Sequence, residues 1–140
     1  MPFDATPATD PTVLYRTRRE RACALWESLP RERFDLRCFG SGTTACALGW
    51  LARARMDGWE WRHGWLPPRP VWRGGAPNGG CYQHAAEYFG LTLEQARACF
   101  GNGPGTARTH RRGDAAEVTG ADVAATLRTL PCAPGQTTSP

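Results

Sequence analysis

The sequence predicts a mainly α domain of α+β type: an N-terminal helix, then four short capped helices, with a Trp-rich irregular or β-hairpin insertion among them. Three observations lead there. Apolar residues recur at helical spacing between recognisable start and stop signals. Residues 57–80 break that pattern and gather Gly, Pro and Arg around four of the six tryptophans, Trp59, Trp61, Trp65 and Trp72. The length, 140 residues, suits one domain. Residues 10–131 are read as that domain, with a disordered N-terminus over 1–9, which holds Pro2 and Pro7, and a disordered tail over 132–140.

Asp10-Pro11 reads as an N-cap followed by proline at the first helical position, where its missing N–H costs nothing. This helix is expected to run to Leu29, before Pro30, with Leu14, Ala22, Leu25 and Leu29 on its apolar stripe. Arg16, Arg18, Arg19, Glu20 and Arg21 crowd its first half and read as a solvated basic face. Phe34, Leu36 and Cys38 alternate with Asp35 and Arg37, as in a short strand or extended segment. Thr43 or Thr44 then caps a helix reaching about Arg55, with Ala45, Leu48, Leu51 and Ala52 along its stripe and Cys46 in its first turn.

Trp59 and Trp61 alternate with Glu60 and Arg62, and Val71-Trp72 can return as the second strand of a hairpin across residues 66–70. A helix from Cys81 to Phe89 ends at Gly90, a residue suited to a left-handed C-cap. Thr92 and Gln95 form a capping box, and Leu91 with Ala96 a hydrophobic staple, for the next helix from Leu93 to Phe100. Residues 101–117 read as a loop too polar and Gly-rich to pack. Thr119 and Asp122 open the last helix, which buries Val123, Leu127 and Leu130 and stops at Pro131.

Composition narrows the function classes. All 17 basic residues are Arg, against 13 acids, and Ile is absent as well as Lys, a usage that genome bias toward GC explains in part. The net charge of +4 is spread over the first helix, the Trp segment and residues 101–117, which weakens it as a nucleic-acid signal. No run of about 20 apolar residues is present to span a membrane. The polar, acidic start lacks the basic and apolar regions of a secretory signal, so the expectation is a cytoplasmic protein without membrane contact. Cys23, Cys38, Cys46, Cys81, Cys99 and Cys132 are then expected to be reduced and mostly packed as small apolar groups.

Four chemical readings compete. The leading one is a non-enzymatic binding module, in which Trp59, Trp61, Arg62, Trp65, Trp72 and Arg73 present an aromatic and Arg surface to a macromolecular partner, a protein before a nucleic acid. The same tryptophans could instead close a core short of aliphatic residues. A second reading is a cysteine-dependent hydrolase or acyl-transfer enzyme: a thiol at a helix start is drawn toward thiolate, making Cys46 the nucleophile. His84 is its best base among His63, His84 and His110, and Gly40, Gly42 and the first-turn amides are the oxyanion donors. A third is a zinc set of Cys38, Cys46, Cys81 and His84, but the first pair is spaced too widely for a usual zinc motif. A fourth is a helix-turn-helix through Ala86, Gly90 and Ala96, whose second helix offers only Glu94, Gln95, Arg97 and Ala98 to a groove. No metal and no cofactor are expected.

The blocks Gly42-Thr43-Thr44-Ala45-Cys46-Ala47-Leu48-Gly49-Trp50 and Ala85-Ala86-Glu87-Tyr88-Phe89-Gly90-Leu91, then Glu94-Gln95-Ala96 to Phe100, resemble an uncharacterised group of small bacterial and phage proteins. That group carries a (Cys/Ser)-Gly-Thr-x-Ala-Cys-x-x-Gly-Trp block and a Phe-Gly-Leu helix turn. The resemblance spans Cys38 to Leu130 and implies a shared helical fold without an activity. Ser41 stands where the pattern often has a first cysteine, which leaves Cys46 without a paired cysteine there.

Overall fold

Caps and stops fix most of the helix ends. A computed structural model describes residues 11–40, 44–64 and 68–132. The expected disordered segments, residues 1–9 and 132–140, lie outside the described residues except for Cys132, as does Trp65. The elements in order are α1 (Pro11–Glu27), α2 (Ala47–Arg53), β1 (Trp59–Arg62), β2 (Arg69–Trp72), α3 (Cys81–Phe89), α4 (Leu93–Phe100), α5 (Pro104–Thr109) and α6 (Gly120–Thr129). Among the described residues this is a mostly helical fold with one antiparallel hairpin, as the sequence predicts. Among the described residues no helix is long and apolar enough to cross a membrane.

α1 ends two residues early. Ser28 and Leu29 tighten into three-residue turns on Leu25 and Trp26, because Pro30 disfavours the helical conformation in the residue before it. Its buried stripe is Tyr15, Arg19, Ala22, Cys23 and Trp26: Ala22 is buried as expected, Tyr15 and Trp26 stand in the places expected of Leu14 and Leu25, and Leu14 is left 39% exposed. Arg19 is therefore not part of a solvated face. Its Nε donates to Phe89 O at 2.9 Å, Nη1 donates to Leu127 O and Leu130 O, and Nη2 donates to Gly90 O and Pro131 O. One guanidinium thus satisfies carbonyls that the ends of α3 and α6 would leave orphaned. Burial lowers its titration below the usual guanidinium range.

Residues 34–38 form no strand. A single parallel bridge, Phe34 to Ala45, is all that the alternation produces. That bridge holds residue 45 extended, so α2 starts at Ala47 and Cys46 is its N-cap, not a first-turn residue. Gly49 is required there, since a Cβ would lie 1.9 Å from Phe39 O. The hairpin register pairs Trp59 with Trp72, Glu60 with Val71, Trp61 with Pro70 and Arg62 with Arg69.

The α3–α4 pair follows its signals. Gly90 adopts φ 71°, a left-handed value, and Tyr15 packs so close that a Cβ there would sit 2.4 Å from its ring. The Thr92–Gln95 box closes with bonds of 2.9 and 3.0 Å, and Leu91 and Ala96 are both buried. The Thr119–Asp122 box opens α6 in the same way. The expected loop at 101–117 is wrong: Gly103 and Pro104 start α5, which buries Thr106 and Ala107 and delivers His110 to the interior. Its polar groups pack because they are paired. Thr106 Oγ1 donates to Arg97 O at 3.0 Å, while His110 Nε2 donates to Cys99 O and Nδ1 meets Thr126 Oγ1, both at 2.9 Å.

Aromatic rings supply the bulk that the aliphatic residues lack. Trp26, Phe89 and Phe100 form a mutual cluster with centroids 5.7 to 6.0 Å apart. Leu48, Leu51, Leu91, Val118, Val123 and Leu127 fill around them.

Candidate functional site

Cys46 sits 3% exposed at the start of α2, and its Sγ accepts a hydrogen bond from Gly49 N at 3.4 Å. Burial pushes its thiol up to about 12, against weaker help from the Gly49 and Leu48 amides. The expected thiolate is corrected: loss of hydration outweighs the helix end.

His84 is equally occupied. Its Nδ1 accepts from Trp72 N at 3.1 Å, and its Nε2 donates to Ala76 O at 2.7 Å. Accepting at Nδ1 while donating to a carbonyl at Nε2 fixes one tautomer and leaves no lone pair for a substrate proton. Glu87, one turn along α3, accepts from Ala76 N at 3.0 Å. His84 and Glu87 are thus a clasp that shapes the loop over residues 73–80. The loop's glycines permit it, because a Cβ at Gly75 would lie 2.4 Å from His84 Cδ2 and one at Gly79 would lie 2.9 Å from Nε2. No group of three or more His, Cys, Asp or Glu that could hold a metal gathers among the described residues, so the zinc set is not assembled.

The tryptophans divide between core and surface. Trp59 is 1% exposed and packs edge-on against Tyr88, centroids 5.7 Å apart, which removes it from the expected binding surface. Its burial follows from register, since pairing with Trp72 brings both rings onto α3. Trp72 is half-buried, donates its indole N–H to Asp57 O at 3.0 Å, and carries the Arg18 guanidinium over its ring at 4.9 Å. It belongs to the packing of α1 on the hairpin.

Trp61 and Arg62 are half-buried, and Arg73 is exposed, ion-paired to Glu60 at 2.9 Å. Trp61 lies over Gly40, where a Cβ would come within 2.8 Å of its ring, and beside Arg53. Arg53 in turn covers the Trp50 ring at 5.1 Å, and Arg69 covers the Phe39 ring at 5.5 Å. An open groove of about 430 Å³ runs along this edge, lined by Ala52, Arg55, Glu60, Trp61, His63 and Arg73 among others.

The turn entering β1 shapes the groove. Arg55 and Asp57 both take left-handed backbone conformations with φ 52°, uncommon for residues other than glycine. Asp57 holds that turn: its carboxylate accepts from Tyr88 Oη and from Arg21 Nη1. Nothing local in the sequence marks Arg55 as a groove residue, because its placement depends on a turn that distant Tyr88 and Arg21 stabilise. Arg69 was also missed, although pairing Val71-Trp72 with Trp59 places it opposite Arg62 by arithmetic alone.

The helix pair of the helix-turn-helix candidate, α3 and α4, packs through α3. α3 buries Cys81, His84, Ala85, Ala86, Tyr88 and Phe89, and α4 exposes Leu93, Glu94 and Arg97. In comparisons with known proteins, no family model, no curated protein and no solved structure matches this chain.

Proposed function

We propose that this protein is a non-enzymatic binding module that seats an acidic segment of a partner protein in the groove beside Trp61. The observation that carries the reading is the groove itself: Trp61 is half-buried there, Arg55, His63 and Arg73 line it, and Glu60 is the one acid that does. Trp and Arg are the side chains that most often supply binding energy at interfaces, and Arg can take a carboxylate in a two-bond fork. The strained turn at residues 55–57 presents Arg55 at the rim instead of folding it back against α2. A cytoplasmic, reducing location belongs to the same reading and is supported by six free cysteines.

A peptide-display selection against the folded chain tests it. Acidic peptides should be enriched, and Trp61→Ala and Arg55→Ala should each abolish enrichment while the cooperative thermal unfolding transition is retained. Enrichment without acidic character, preference for an oligonucleotide over the selected peptides, or equal enrichment by both variants would refute the reading.

A further inference from the structure

The two edges of the hairpin are finished differently. Arg73 N donates to Gly58 O at 3.0 Å, so the ladder's hydrogen bonds run through that pair and, two residues on, through Glu60 with Val71 and then Arg62 with Arg69. The residues between turn their backbone groups outward: Trp59 and Trp61 on β1, Pro70 and Trp72 on β2. On β2 the outer edge is closed. Pro70 has no N–H to offer, and the Trp72 N–H donates to His84 Nδ1 at 3.1 Å.

On β1 the outer edge is open. The Trp59 N–H turns back to Met56 O, but the Trp59 carbonyl and both backbone groups of Trp61 meet no hydrogen-bond partner among the described residues. The sheet has no third strand there. Proteins ordinarily cover or blunt a free strand edge, because it is a template for pairing with another chain.

The groove follows this edge. Side chains alternate between the two faces of a strand, so a pocket on one face would touch every second residue. The groove of about 430 Å³ instead touches Gly58, Trp59, Glu60, Trp61 and His63, nearly in unbroken succession. It therefore runs alongside the strand, where the outward backbone groups are.

We propose that the acidic segment of the partner protein binds here in extended form, as a third strand added to β1. This rests on the partner reading of the groove and adds how the segment is recognised. The Trp61 N–H donates to one carbonyl of the segment, and the Trp59 and Trp61 carbonyls accept from two of its amides, which stand two residues apart. Main-chain bonds of this kind supply affinity, and the alternating side chains supply specificity. Charge selects an acidic occupant: Arg73 pairs with Glu60 at 2.9 Å, which leaves the Arg55 charge on the groove for the ligand. Alternate side chains of the added strand fall on opposite faces, some beside the Trp61 ring and the others beside Glu60 and Arg62. An acid is favoured opposite Arg62 and disfavoured opposite Glu60.

A backbone scan tests the strand. The most enriched acidic peptide of the display selection is synthesised with one N-methyl group at a time and titrated into the full chain. Methylation at two positions, two residues apart, should each weaken binding by about tenfold or more, while the position between them is tolerated. Amide hydrogen exchange reads the protein side. Without peptide the Trp61 amide should exchange faster than that of Glu60, which the ladder holds, and saturating peptide should slow it by about tenfold or more. Tight binding without the two-residue period, or a Trp61 amide that peptide does not protect, overturns strand addition and leaves the partner reading standing. A selection that enriches no acidic peptide overturns both. A Trp61 amide protected before peptide is added also overturns the proposal, and protection that falls on dilution assigns the edge to a second copy of this chain.

Discussion

Replacing Arg19 with Met is the sharpest test of how this fold is held. The methionine keeps the length and apolar stem of the side chain, so the change isolates the guanidinium. What it removes is the set of donors to Phe89, Gly90, Leu127, Leu130 and Pro131, at a site only 4% exposed. The bonds to Phe89 and Leu130 are the shortest of the set, and the other three lie at 3.3 to 3.4 Å. Hydrogen bonds to a charged group contribute about 1.5–3 kcal/mol each, and orphaned buried carbonyls retain their desolvation penalty. Relief of the cost of burying a charge offsets part of the loss. The net expectation is a destabilisation of about 2–4 kcal/mol, a large part of the stability of a domain this size. In urea, with a slope of about 2 kcal/mol per molar, the midpoint should fall by roughly 1–2 M without a change in slope. Arg19→Lys keeps the charge but not the fork, and should recover less than half of the loss. Arg16→Met, at an exposed position of α1, serves as the control and should stay within about 0.5 kcal/mol of the parent. A midpoint for Arg19→Met within about 0.3 M of the parent would show that water satisfies these carbonyls and that the clamp is not a stability element.

Two further outcomes follow from the titrating groups. Alkylation of the native protein near pH 8 should spare Cys46, held up to about 12, and Cys23, held up to about 11, together with buried Cys81 and Cys99, which burial also raises. Mass spectrometry should find label on half-buried Cys38 and Cys132 first, and stoichiometric label on native Cys46 would restore the thiol-enzyme reading. On the acid side, Arg128 hydrogen-bonds Glu20 and Glu27 and holds both carboxyls below their usual range, as Arg37 does for Asp35. Groups whose native titration is depressed leave the unfolded chain binding more protons, so this stabilisation is complete above the ordinary carboxylate range, about pH 4, and is lost as pH falls through the lower native values. Melting curves from pH 6 to 2 should therefore steepen below about pH 4, and Arg128→Gln should flatten that limb; an unchanged limb would assign acid sensitivity to other carboxylates.

The legible parts of the sequence were those whose cause is local. Thr92 with Gln95, Thr119 with Asp122, and Gly90 each act within one turn, and each does in the structure what its spacing implies. The hairpin was legible for a related reason, since alternation about Trp59 and Trp61 sets a register with the returning Val71-Trp72. Arg19 and α5 were not. An Arg on a buried stripe looks like solvated charge until the carbonyls of α3 and α6 arrive, and those lie about 70 and 110 positions away. Thr106 and His110 look like loop residues until Arg97, Cys99 and Thr126 pair with them. Hydropathy records the cost of burying a polar group, and only tertiary structure reveals the partner that cancels it.

The same reasoning accounts for His84, whose sequence position suggests a catalytic base and whose two ring nitrogens are both engaged within the fold. His84 accepts from Trp72 at the end of β2 and donates to Ala76 in the loop that leads back to α3, so it joins the hairpin to the helix at the point where the two diverge. Glu87 secures the same loop from the next turn, and Gly75 and Gly79 let it close onto the imidazole. The groove at Trp61 takes a wall from this hairpin. A two-stranded ribbon is marginally stable alone, and binding sites built on it would otherwise lose affinity to its freedom. The clasp, together with the Trp59 and Trp72 rings seated on Tyr88, fixes the ribbon against α3 before any ligand arrives. His84, which sequence reading assigned to catalysis, thus holds the hairpin against the helix with both of its ring nitrogens engaged.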